Sequence, residues 1–205
     1  MIPAVQGAKA AVANAVKPHL PIDRTMALLA FTFAAAWTVT GAMAAHFPRI
    51  MEAAGATSVQ AIAAGALIGP AQVGARIVEA GLLSRYHPLV SARLACITHP
   101  LGAAIVGIFG GAAAGVFAVF HGSGNGILTI ARGTLPLSIF GSQNFASRLG
   151  LLGAPSRMAQ AVAPLAFGLL IDAIGSKVLI VSSALSLAAL AALFLLRTRP
   201  ALPET

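Results

Sequence analysis

The chain has 205 residues, 58% of them hydrophobic and only 9% charged, with a formal net charge of +8 and a mean hydropathy of +0.89. A water-soluble domain carries roughly a quarter charged residues, so this composition cannot cover a water-facing surface and places the chain in a lipid bilayer. The basic residues are spread over short loops and tails, which argues against nucleic acid as a partner and for the charge asymmetry of membrane topology.

Residues 1–25 hold Lys9, Lys17 and three prolines around a weak Ala/Val patch. That stretch is too polar for the apolar region of a signal peptide. It reads as a cytoplasmic lead-in or linker. Six apolar segments follow, at about 26–47, 58–80, 89–109, 112–134, 149–173 and 177–196, each near the ~20 residues a bilayer-spanning helix needs. The runs are too long for barrel strands, and open strand edges do not survive in lipid. The expectation is an all-α, polytopic membrane protein: a six-helix transmembrane domain over 26–197 and a cytoplasmic tail over 198–205. Gly110-Gly111 is the only turn signal between the third and fourth segments.

Orientation follows from Lys and Arg. One side collects Lys9, Lys17, Arg24, Arg85, Arg93, Arg132, Arg148, Arg157, Arg197 and Arg199; the other has only Arg49 and Lys177. The basic side is the cytoplasm, so an even number of spans puts both termini inside. The expected location is a bacterial inner membrane.

The polar residues within the segments are aligned. On the first, Trp37 and Thr40 can contribute a cavity wall, and His46 and Arg49 read as interfacial anchors at the outer end. On the second, Gly65, Gly69, Gln72, Arg76 and Glu79 share a stripe. Arg76 and Glu79, three apart, can pair with each other and can reach Arg132 or Arg157 as a cytoplasmic gate. The third carries Cys96 and His99 one turn apart, beside Pro100. Two ligands do not make a metal site, so no metal is expected. On the fourth, His121, Asn125, Thr129 and Arg132 fall within a stripe about 80° wide. The fifth repeats the pattern with Gly153, Arg157, Gln160, Pro164, Gly168 and Asp172, and the sixth is bland. Polar groups are expensive in hydrocarbon and face a bundle interior or a cavity, so Gln72, His121, Asn125, Thr129 and Gln160 are candidates for lining a solute path. The alternative for each is a hydrogen bond that only holds helices together. Pro70 and Pro164 read as kinks.

Glycines spaced by four predict close helix packing at Gly65, Gly69, Gly107, Gly111, Gly115, Gly122 and Gly126. The sequence contains no phosphate-binding glycine loop and no nucleophile–base set. Neither an enzyme nor a cofactor is expected.

These residues resemble the C-terminal six-helix half of a major facilitator superfamily transporter over about residues 24–199. Gly69-Pro70-Ala71-Gln72-Val73 with Arg76 and Glu79 is similar to that family's eighth helix. Gly81-Leu82-Leu83-Ser84-Arg85-Tyr86 resembles the second copy of its loop motif, with Ser84 where the motif has Asp and Pro88 interrupting its end. Gly124-Asn125-Gly126, Arg132-Gly133 and Pro136 look like the tenth helix, and Arg157, Gln160-Ala161 and Pro164 like the eleventh. The resemblance implies a secondary transporter that moves a small solute by alternating access, with the first, second, fourth and fifth spans lining the cavity. It also implies a second six-helix half, as another chain or a second copy of this one. A non-transporting membrane assembly subunit and a homodimeric half-transporter are the alternatives.

Overall fold

The computed structural model describes residues 22–196, all of them in helices, turns and short connections. Most of the expected lead-in and all of the expected tail, with Lys9, Lys17, Arg197 and Arg199, lie outside the described residues.

Local chemistry fixes the helix ends. Helix α1 (Arg24–Ala53) starts where the extended Asp23 accepts a hydrogen bond from the Met26 amide at 2.8 Å. It stops before Gly55, whose φ of +97° suits only glycine. Helix α2 (Ser58–Ala66) opens with a capping box between Thr57 and Gln60. Helix α3 (Ile68–Gly81) continues it after a break at Leu67. Pro70 has no amide to offer the Ala66 carbonyl, so the ladder is interrupted there, as a proline kink requires. Helix α4 (Pro88–Phe109) has proline in its first turn and ends at Gly110, with φ +63°. Helices α5 (Ala114–Phe140), α6 (Phe145–Ile174) and α7 (Val178–Phe194) complete the chain. Helix α5 runs six residues beyond its expected end, through Pro136, because Leu135 is fully buried and Ile139 and Phe140 pack on the same apolar cluster.

Four continuous helical stretches are long and apolar enough to cross a membrane: Arg24–Ala53, Ser58–Arg85, Pro88–Phe140 and Phe145–Phe194. The third folds back on itself. A Cβ at Gly102 would meet Phe117 and Phe120, and one at Gly124 would meet Thr98 and Ala95. Such pairing is possible only if α4 and α5 are antiparallel, with the reversal at Gly110–Ala113. Helix α7 also runs antiparallel to α4, since Arg93 reaches the Leu193 carbonyl and His99 reaches Ser182. Helix α6 runs parallel to α1: Gly41 lies against Gln160, His46 against Pro164, and Arg49 against Asp172.

The interior has three levels. One apolar cluster gathers Phe47, Ile50, Phe117, Phe167 and Val178 near the Ala53 end of α1. A second gathers Leu29, Phe33, Leu135, Leu152 and Leu193 near its Arg24 end. Between them lies a polar belt of Thr40, His99, His121, Asn125, Ser182 and Ser186.

Candidate functional site

The belt is organised about a contact between α1 and α5. The Thr40 hydroxyl lies 3.2 Å from Asn125 Oδ1 and 3.0 Å from the Ala36 carbonyl. Next to each of these residues is a glycine with a matching role. A Cβ at Gly41 would sit 2.9 Å from the Gln160 carbonyl oxygen on α6, and one at Gly126 would sit 2.5 Å from the Gln72 carbonyl oxygen on α3. Thr40-Gly41 with Gln160 and Asn125-Gly126 with Gln72 are therefore equivalent constellations. In each, two helices pack in parallel, α1 on α6 and α5 on α3, so that the run α1, α2–α3, α4 matches the run α5, α6, α7 as two units. Helices α4 and α7 occupy the third place in each unit and pack on each other. The chain thus carries an internal two-fold-like repeat, with Thr40 and Asn125 at its centre.

Helix α5 presents different residues in different directions. Asn125 faces α1, while Gly122 and Gly126 face α3. Thr129 points between these two directions by helical geometry, and it is exposed. An exposed face of α5 therefore lies between α3 and α1, with Gln72 and Gln160 half-buried beside it. Arg132 stands at its Arg24 end. Its guanidinium lies 5.3 Å from the Trp37 ring centroid, a cation–π contact, and would come 3.1 Å from a Cβ at Gly153 of α6.

The remaining expected gate residues are not joined in this conformation. Among the described residues the only ion pair is Arg49–Asp172, exposed and at the opposite end. Arg76 and Arg157 are exposed, and Glu79 is buried with Oε2 lacking a partner. A Cβ at Gly122, Gly126, Gly65 or Gly115 would touch a neighbouring element, and one at Gly111 would run into Gly55 and Ala56 of the connection between α1 and α2. Gly69 and Gly107 have nothing within 4 Å, which corrects the packing expectation for those two. The spacing of four detects a common face on one helix and says nothing of whether another backbone is there. The close contacts at Gly41, Gly102 and Gly124 carry no such signal in the sequence, because no second glycine lies four residues away.

His121 is buried and lines one small cavity with Thr40 and Asn125. Its Nδ1 is 3.1 Å from Nδ1 of His99 on α4, and its ring stacks on Phe117. His99 Nε2 in turn lies 2.8 Å from the Ser182 hydroxyl on α7. Two imidazoles and a hydroxyl thus tie three helices together on the side away from Thr129. Cys96 is a buried free thiol beside them. Among the described residues no group of three or more His, Cys, Asp or Glu side chains is arranged to hold a metal ion. His46 is not a free interfacial anchor: its Nε2 bonds the Pro164 carbonyl at 2.7 Å. Arg49, the other expected anchor, is tied to α6 through Asp172.

A larger groove of about 630 Å³ lies near the Ala53 end, lined mainly by apolar residues such as Ala103, Val106 and Ile180. Ser176, Lys177 and Ser183 also line it, and the Ser183 hydroxyl is buried without a hydrogen-bond partner; the belt gathers more polar side chains in a smaller space and is the better candidate site. No protein family matches the chain, and no curated protein matches it either.

Proposed function

We propose that the chain is one half of a secondary transporter of the major facilitator type. In this reading the seven helices make six crossings, with α2 and α3 together forming one. The internal repeat carries the reading. Three crossings followed by three more necessarily have opposite orientations in the membrane, and inverted repeats with a polar site near mid-membrane are the usual plan of secondary carriers. Asn125, Thr40, Gln72, Gln160 and Thr129 would contact a small solute. Arg132, at the end of the exposed α5 face nearer the basic loops, would gate the cytoplasmic mouth with Arg76, Glu79 and Arg157 as the helices rock. Both termini would be cytoplasmic, in an inner membrane. The surplus of Arg over acidic groups along that face favours anionic or neutral polar solutes.

A polar face left open implies a second half, from another chain or a second copy. Facing lipid, the polar flank would cost a few kcal/mol per charged group at mid-membrane. The test is uptake by proteoliposomes holding the assembled protein, against a panel of small anionic and neutral polar solutes. Saturable accumulation that Gln160→Ala and Asn125→Ala each reduce about tenfold, equivalent to roughly 1.4 kcal/mol, is expected. No uptake of any solute by an intact assembly would favour the non-transporting assembly subunit.

A further inference from the structure

We propose that the groove between α4 and α7 near the Ala53 end binds one anionic phospholipid, with its phosphate at Lys177 and an acyl chain lying along the two helices. The proposal rests on the chain lying in a bilayer and not on the carrier reading.

The groove has the depth and polarity of a single leaflet. Its α7 wall runs from Ser176 and Lys177 to Leu187. That stretch rises about 15 Å, half of the ~30 Å hydrocarbon core of a bilayer. Lys177 lies where α1 and α4 end and α7 begins, and the walls beyond it are apolar except for Ser183. Small residues on α4 make the space. Gly107 lines the groove, and a Cβ there would meet no atom within 4 Å, so no other helix fills the gap.

Two polar groups distinguish this groove from ordinary lipid-facing surface. Lys177 is the only charged side chain lining it, and it is exposed, with no ion-pair partner among the described residues. Of the acidic residues at this end, Asp172 is held by Arg49, and neither it nor Glu52 lines the groove. The start of α7, which no side chain caps, adds the positive end of a helix dipole beside Lys177. Ser183 stands about 9 Å further along α7. Its hydroxyl is buried without a partner, while the Leu179 carbonyl one turn back takes the Ser182 hydroxyl at 3.1 Å. A buried hydroxyl without an acceptor is costly. The ester carbonyl of a phospholipid, which lies between phosphate and acyl chain, is an acceptor at that intermediate depth. Cation, hydroxyl and apolar wall thus follow one another in the order in which a phospholipid presents phosphate, ester and chain.

Native mass spectrometry of the assembled protein, in mild detergent with equal amounts of phosphatidylglycerol and phosphatidylcholine, tests the site. One phosphatidylglycerol per chain should be retained, in preference to phosphatidylcholine by about fivefold, the effect of one lysine at a membrane surface. Lys177→Gln should remove that preference. Arg49→Gln takes away a cation at the same end that does not line the groove, and should leave the preference intact. Gly107→Leu, which fills the groove from an open position, should abolish retention of both lipids without lowering the unfolding temperature. Equal retention of the two lipids, or full retention by Gly107→Leu, would overturn the site. So would equal effects of Lys177→Gln and Arg49→Gln. Free glycerol 3-phosphate that competes as well as the lipid would show recognition of a phosphate alone and overturn it too. The measurement involves no solute, so lipid retention by a protein that transports nothing would keep this site and remove the carrier reading.

Discussion

The two sides of α5 differ in how they are packed. Toward α4 the helix is filled: Phe117 is fully buried, Gly102 and Gly124 allow the backbones to approach, and the histidines meet out of solvent. Between α1 and α3 it is open, with Thr129 exposed and the neighbouring polar residues half-buried. Both sides carry polar groups: the histidines bond across helices to each other and to Ser182, whereas Thr129 bonds only the Asn125 carbonyl of its own helix, at 2.8 Å. The filled side therefore holds the bundle together, and the open side does not.

Several substitutions would break or sharpen this contrast. Phe117→Ala should cost about 3–5 kcal/mol, the usual penalty for emptying an aromatic site in a packed core. Val73→Ala, at an exposed position on α3, should change stability by less than about 0.5 kcal/mol. Thermal or SDS unfolding in mild detergent measures both, and equal losses would erase the distinction. Gly126→Ala should cost about 1–3 kcal/mol by overpacking, because its Cβ would press on the Gln72 carbonyl. Gly69→Ala, with open space around it, should be neutral or slightly stabilising through better helix propensity. Arg49→Ala should cost only about 0.2–1 kcal/mol, since its partnership with Asp172 is solvent-exposed. Thr129→Val should also stay within about 0.5 kcal/mol in stability, although it removes a hydroxyl from the exposed face of α5. A larger loss would mean that Thr129 is structural.

Much of this contrast was written in the sequence, though not its direction. Hydropathy located the helical segments, because lipid-facing and core-facing positions are alike apolar, but it ended α1 and α5 six residues early and ran α2 into α3. The stripe on α5 is about 80° wide, and that angle is enough to turn from α4 at His121, past α1 at Asn125, to the exposed face at Thr129. The angle of a residue on its own helix does not say which neighbour stands there. For the same reason the partners of His121 and of Arg49 could not be read: His99 and Asp172 lie 22 and 123 residues away in the chain. The repeat was hidden too, since Thr40-Gly41 and Asn125-Gly126 share geometry and almost no side-chain identity. The kink at Pro70 was legible because a missing amide acts locally.

The most direct test of the account is solvent access at α5 in the assembled protein. In a Cys96→Ser background, spin labels at Thr129→Cys and at Val119→Cys, an exposed apolar position on the same helix, can be compared by collision with a water-soluble nickel complex and with oxygen. The account predicts nickel-accessible, oxygen-poor labels at 129 and the reverse at 119. A label at 129 that meets oxygen and not nickel would put the polar flank of α5 against lipid tails and contradict the account.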